Sequence, residues 1–489
     1  MNPVSRKIMR AWVNLGPRYL PFADAATPDL PLSRLLRLSL FQVSVGMALV
    51  LLIGTLNRVM IVELDVPASL VAVMISLPLI FAPFRALIGF RSDTHRSVLG
   101  WKRVPYIWQG TLVQWGGLAI MPFALLVLAG QGESSHAPVW LGHLGAGFAF
   151  LLVGAGVHTT QTVGLALATD LAPVESQPKV VGLMYVMLLV GMVVSALVFG
   201  ALLEDFSPGR LIQVIQGSAV VTMALNLVAL WKQETRNPAQ TAAAKPRPTF
   251  RESWASFTEG GRAGRRLIAV GLGTMAFSME DVLLEPYGGQ VLHLSVSATT
   301  KLTATLAVGG LLGFGLASRV LSRGADPFRM ASYGVLVGVP AFLAVIFAAP
   351  LGSPMLFAAG TLLIGFGAGL FGHGTLTATM NLAPVDQRGL ALGAWGAVQA
   401  TAAGLAVAAG GIIRDVVAGV AQRGAAGMAV DTSASGYMTV YSIEIVLLFA
   451  ALYTMFPLLR RQPSSSILMG SGSVIAANPV GSEGAGNGS

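Results

Sequence analysis

Glu280, Asp281 and Glu285 fall within FSMEDVLLEPYGGQ, a stretch otherwise suited to hydrocarbon. Three carboxylates there are expensive in lipid and must face protein, water or a partner; such groups serve as members of a structural gate or as proton carriers. Arg58, within LIGTLNRVMIVEL, is the complementary charge. It lies 18 residues beyond Leu40, as Glu285 lies 18 beyond Leu267, about 27 Å of helix in each case. Equal depth predicts an ion pair between Arg58 and the acidic group. A gate is favoured over proton coupling, because buried ion pairs of this kind are often structural. Glu444 is a lone acid in apolar sequence and is expected to reach an interface or a neighbouring donor.

A second charged set lies in GFRSDTHRSVLGWKR, where Asp93 precedes Lys102 and Arg103. A carboxylate at a helix end followed by cations can latch two helical halves through dipoles and ion pairs. The same residues also suit a solvated basic loop on the membrane surface. Of six histidines, His158 and His373 sit in glycine-rich apolar stretches, near Gly156 and Gly367 respectively. Glycines at three- and four-residue spacing let helices approach closely, and they could equally make a flat groove. A hydrogen-bonded packing role for each histidine is weighed ahead of a ligand role. No metalloprotease spacing, Ser-His-Asp grouping or Walker loop is visible, so enzymatic chemistry has no equipment. The absence of cysteine excludes disulfide scaffolds, thiolate metal sites and a cysteine nucleophile.

The elements that must position these residues are membrane helices. Only 11% of the chain is charged and 54% is hydrophobic, against about 25% charged in soluble domains. A span needs about 20 mainly apolar residues. Twelve are expected, over 38–60, 68–90, 104–129, 140–169, 180–203, 211–231, 267–286, 299–318, 330–350, 355–380, 390–413 and 437–459. With the N-terminus cytoplasmic, 25 of the 31 basic residues fall on one side, which places both termini in the cytoplasm. The net charge of +9 is thereby a membrane-topology signal rather than one for nucleic acid. No cleavable signal peptide is expected, since 37 residues with proline and charge precede the first apolar run.

Residues 1–37 form a basic leader, with a surface-lying helix as the alternative to a plain positive-inside segment. Residues 232–266, basic and holding Pro238, Pro246 and Pro248, read as a linker between six-helix halves, 38–231 and 267–459. The tail 460–489 has no core-forming pattern and is expected to be disordered. The halves are related: VGAG at 153–156 with DLAPVE at 170–175 matches IGFG at 364–367 with NLAPVD at 381–386, each 211 residues apart. Parallel six-helix repeats are the architecture of major facilitator transporters, whose working site lies between the halves. The fold class expected is therefore an all-α membrane protein of twelve helices. Within it, the loop carrying Asp93 is similar to the loop signature of that superfamily but longer, with six residues between Asp93 and Gly100.

Three longer words carry a more specific resemblance: FRALIGFRSDTHRSVLGWKRVPYIWQGTLVQ (84–114), ATDLAPVESQPKVVGLMY (168–185) and SMEDVLLEPYGGQVL (278–292). They resemble the PucC/LhaA family, the bacteriochlorophyll-delivery branch of the major facilitator superfamily in purple phototrophic bacteria. The likeness runs from the leader to the twelfth span. It implies an assembly factor for light-harvesting antenna complexes in the photosynthetic inner membrane, with antenna polypeptides as partners and bacteriochlorophyll as cargo. A pigment would lie on an apolar surface smoothed by Gly156 and Gly367 and be oriented by His158 or His373. The rival expectation is a proton-linked transporter of an amphipathic solute, using Glu280, Asp281 or Glu285.

Overall fold

A computed structural model describes residues 30–80, 88, 91–92, 101–130, 136–173, 176–234, 263–382, 388–424 and 432–459. Among these the chain forms twelve helices. The first six are α1 (Leu32–Glu63), α2 (Ala68–Ile80), α3 (Val104–Leu128), α4 (Val139–Leu171), α5 (Gln177–Leu202) and α6 (Pro208–Leu230). The last six are α7 (Gly264–Gln290), α8 (Val296–Leu321), α9 (Pro327–Ala348), α10 (Pro354–Leu382), α11 (Arg388–Gly424) and α12 (Thr432–Leu459). Eleven are long and apolar enough to cross a membrane, and the described part of α2 is a shorter apolar helix. The protein is a multi-pass membrane protein. Most of the leader, most of the linker and the whole tail lie outside the described residues.

Glycine sets the closest helix contacts, and it does so alike in both sets of six. A Cβ on Gly110 of α3 would stand 3.0 Å from the Gly156 carbonyl of α4, and one on Gly367 of α10 would stand 2.7 Å from the Gly334 carbonyl of α9. Gly156 and Gly367 are repeat mates, 211 residues apart. The shared seam is the three-dimensional counterpart of the sequence repeat, since only small residues let backbones approach this closely. Between the two sets, α2 packs along α11 and α5 along α8, while α1 leans on α8.

Three helices depart from the expected spans. The first begins earlier and is π-helical over Val50–Leu56 and Val59–Glu63. The seventh is broken into helix Ala263–Ala276, a 3-10 turn Glu280–Val282 and helix Leu284–Gln290. Pro286 supplies a cause, because proline lacks the N–H that would bond the carbonyl four residues back and its ring crowds that carbonyl; that residue is Val282. The eleventh helix runs past the expected residue 413 to Gly424. Its charges there are satisfied sideways: Asp415 accepts from the Ser69 backbone N–H at 2.7 Å, and Arg414 pairs with Asp415 at 2.7 Å.

The contacts define two ends of the bundle. Arg34 at the start of α1 donates to Gln233 just beyond α6, which marks the near end. Two contacts mark the far end: Arg58 with Glu63 and the Leu294 carbonyl, and Ser69 with Asp415.

Candidate functional site

The break in α7 exposes backbone groups in the middle of the molecule, and side chains from three other helices satisfy or surround them. Asn57 of α1 donates from Nδ2 to the Val282 carbonyl at 3.0 Å. Glu444 of α12 accepts the Glu280 backbone N–H at 2.7 Å. Thr303 of α8 donates to Glu285 Oε1 at 2.8 Å. Glu280 and Glu285 are each 2% exposed and Glu444 is fully buried, while Asp281 is half-buried. The second carboxyl oxygens of Glu280, Glu285 and Glu444 are buried without a hydrogen-bond partner, as is the Tyr441 hydroxyl. Tyr287 meets Tyr437 and Tyr441 edge-on, at centroid distances of 5.4 and 5.5 Å. The cluster is an aromatic-walled acidic chamber held by neutral donors. Chemically it can accept hydrogen bonds or protons.

Arg58 does not join this chamber, which corrects the expected pairing with Glu280, Asp281 or Glu285. Its Nη1 pairs with Glu63, and its Nη2 donates to the Leu294 carbonyl beyond α7 at 3.1 Å. The π-helical winding is the reason. Such a helix bonds residue i to i+5, and Glu63 is the fifth residue after Arg58, so it lies on the same face. Gly289 lets the guanidinium lie against α7, since a Cβ there would stand 3.1 Å from Arg58 Nε. A connection between α1 and the end of α7 exists, but its polar partner is a carbonyl.

Of the latch expected from Asp93, Lys102 and Arg103, the described residues show one part. Asp93 lies outside the described residues. Arg103 donates from Nε to Asp170 Oδ2 at the end of α4, at 2.9 Å, and from Nη1 to Ser92 Oγ at 2.6 Å. The Lys102, Arg103 and Val104 backbone N–H groups converge on the Glu234 carboxylate at 2.7 to 3.0 Å. Bare N–H groups at a helix start attract a carboxylate, and the one that arrives comes from just beyond α6. These bonds tie α3 to the end of α4 and to the residue beyond α6, within the first half.

The glycine groove fails at both of its named positions. A Cβ on Gly156 would fall 2.7 Å from the Gln114 Cβ, and Gly367 faces the Gly334 carbonyl and the Phe277 ring. Both are helix-packing residues. His373 is half-buried, its Nδ1 is enclosed without a hydrogen-bond partner, and its ring lies 4.2 Å from that of Phe314 on α8. Phe314 in turn stands 6.5 Å from Tyr185 on α5, so this aromatic run crosses between the halves. His158 is half-buried on α4.

Other groups escaped the sequence reading. Asn57 and Thr303 carry no charge and look ordinary in a polar count. Glu63 falls just beyond the expected first span, 38–60, and its spacing from Arg58 is informative only once a π-helix is considered. At the far end, Gln290 accepts from both Arg414 and the Tyr437 hydroxyl, the latter at 2.7 Å, and Arg414 also lies 4.8 Å over the Tyr437 ring. Neither Gln290 nor Tyr437 has a local sequence partner to betray it.

Twelve helices in two similar sets, joined along α2–α11 and α5–α8, define a major facilitator fold. Solved structures agree: a bacterial homologue of the lysosomal transporter Spinster matches with TM-score 0.63 at 16% identity, covering 88% of this chain and 98% of that one. A bacterial homologue of the iron transporter ferroportin matches with TM-score 0.61 at 16% identity, covering 88% and 99%. Within that class the chain belongs to the PUCC protein family, whose model matches residues 55–463. Protein PucC of Rhodovulum sulfidophilum is 66% identical over 420 residues, 85% of this chain and 92% of that protein. Protein PucC of Cereibacter sphaeroides is 58% identical over 454 residues, 93% and 98%. A more distant relative, 29% identical over 76% of this chain and 85% of its own length, is the bacteriochlorophyll synthase 44.5 kDa chain of Rhodobacter capsulatus.

Proposed function

We propose that this protein is a non-catalytic assembly factor for light-harvesting antenna complexes, holding or handing over bacteriochlorophyll as antenna polypeptides enter the photosynthetic membrane. The observation that carries this reading is membership of the PucC family over most of the chain, together with a distant relative whose name ties it to bacteriochlorophyll. The chain's own residues supply binding rather than reaction. His373 has an enclosed nitrogen without a hydrogen-bond partner beside an aromatic face, and imidazole is a ligand for metals. Among the described side chains, it is the group best suited to orient a pigment's central magnesium or ring edge. The packed glycines take no part in this.

A second reading, a proton-linked transporter, is favoured by one observation: carboxyl oxygens of Glu280, Glu285 and Glu444 are buried without partners. Intramembrane acids of that kind often mark proton pathways. Deleting the gene in its host separates the two. Loss of antenna absorbance with pigment synthesis retained supports the assembly role; normal antenna in a strain without a substituting relative defeats it.

A further inference from the structure

A cavity of about 220 Å³ opens at the far end of the first six helices. It lies between the end of α1 (Val59, Glu63, Leu64), the end of α3 (Leu125, Leu126, Ala129) and the start of α6 (Phe206, Pro208, Leu211, Ile212). Nine of these ten lining residues are apolar, and Glu63 is the exception. The space is smaller than a drug-sized pocket, which runs about 300 to 1,000 Å³, and it suits the end of one hydrocarbon chain.

The rim has a charge pattern. Glu63 and Asp65 stand on the α1–α2 connection, Glu204 and Asp205 on the α5–α6 connection, and all four are exposed. Arg210, also exposed, lies in the same helical turn as Pro208 and Leu211. Arg58 balances the charge of Glu63 at one carboxylate oxygen, so the acidity of the rim rests on Asp65, Glu204 and Asp205. Among the described residues, the apolar slot thus ends in a mouth where exposed acids outnumber the cation Arg210.

We propose that this cavity is a lipid site for phosphatidylethanolamine, with an acyl chain end in the slot, the ammonium on Glu63 and its neighbouring acids, and the phosphate toward Arg210. A primary ammonium donates three hydrogen bonds. A quaternary choline donates none, and a glycerol headgroup leaves the phosphate charge unbalanced at an acidic rim. Because Glu63 also holds Arg58 against Leu294 of the other half, occupancy would reinforce the far-end contact between the halves.

The test uses the full chain in detergent, titrated with short-chain phosphatidylethanolamine, phosphatidylcholine and phosphatidylglycerol of equal acyl length, with the thermal unfolding midpoint as readout. Phosphatidylethanolamine should raise the midpoint at about tenfold lower concentration than the other two, the factor expected for one charge-assisted hydrogen bond. Ile212→Trp fills the slot and leaves the Arg58–Glu63 pair intact; it should abolish the response. Glu63→Gln should reduce the ethanolamine lipid to the level of the choline lipid. Equal responses to all three lipids in the unaltered protein, or an unchanged response in Ile212→Trp, would overturn the site. The Ile212→Trp arm keeps the decision open to failure even where Glu63→Gln lowers the yield of folded protein.

Discussion

Removing Glu63 strands a guanidinium. Arg58 is only 4% exposed, and without its carboxylate it keeps only the Leu294 carbonyl as a hydrogen-bond acceptor. Glu63 itself is 37% exposed at the side chain, so solvent screens the pair and the coupling should be about 1 kcal/mol rather than the value of a fully buried pair. A double-mutant cycle on unfolding in detergent should show that coupling between Arg58→Ala and Glu63→Gln. Arg58→Ala with Glu285→Gln should be additive within about 0.5 kcal/mol; the reverse pattern would restore a gate to the α7 acids. A sequence can show that Arg58 and Glu285 share a depth, but depth leaves the azimuth open. The π-helical turn rotates Arg58 onto Glu63, and no residue pattern in LIGTLNRVMIVEL announces that turn.

Glycines and histidines divide along the same line. Gly156→Ala and Gly367→Ala drive a methyl into neighbouring backbone and should lower the amount of folded protein in the membrane several-fold, as overpacking costs about 1 to 3 kcal/mol. Gly372→Ala, with open space at that position, should be neutral. His373→Ala should leave protein level intact and lower bound pigment, read as the ratio of pigment to protein absorbance after purification. Glycine spacing in the sequence is ambiguous between seam and groove, because both need a bare backbone; only the neighbour across the gap decides.

At the scale of the helix, the break in α7 and the hydrogen bonds that meet it belong together. Asn57→Leu removes the donor to the Val282 carbonyl and should cost about 1 to 3 kcal/mol, the penalty for an unsatisfied buried group. Pro286→Ala supplies the missing N–H four residues beyond Val282, so in that background Asn57→Leu should cost less than half as much. Equal costs in both backgrounds would show that the proline does not cause the break. The twelve spans were legible because hydrocarbon thickness dictates long apolar runs; most of their described ends fall close to the expected ones, while the expected end of the second, at 90, lies outside the described residues. Where the reading missed, at α1, α7 and α11, tertiary partners had intervened. For α11, the Asp415 and Arg414 charges are absorbed by Ser69 and Gln290, so charge did not end the helix as a sequence scan assumes. Glu444 was legible as an acid in need of a donor, and the Glu280 N–H is that donor.

For the whole molecule, the repeat visible at 153–175 and 364–386 anticipated the paired seams α3–α4 and α9–α10, since equal small residues impose equal close approaches. We propose from the basic residues that the near end of the bundle faces the cytoplasm, and the cysteine-free chain offers a clean test. Single cysteines at Gly209, exposed at the far end with open space around it, and at Ser322, exposed at the near end, should label from opposite faces. Gly209→Cys should react from the periplasm and Ser322→Cys only after the membrane is opened; labelling of both from the periplasm would overturn the orientation.

The central claim is that the fold serves antenna assembly rather than solute transport, and the absorption spectrum of membranes from a deletion strain tests it most directly. The account predicts that antenna absorbance falls severalfold while extractable bacteriochlorophyll precursors continue to be made, and that the intact gene restores the antenna bands. Normal antenna absorbance in a strain lacking this gene and any substituting relative would contradict it.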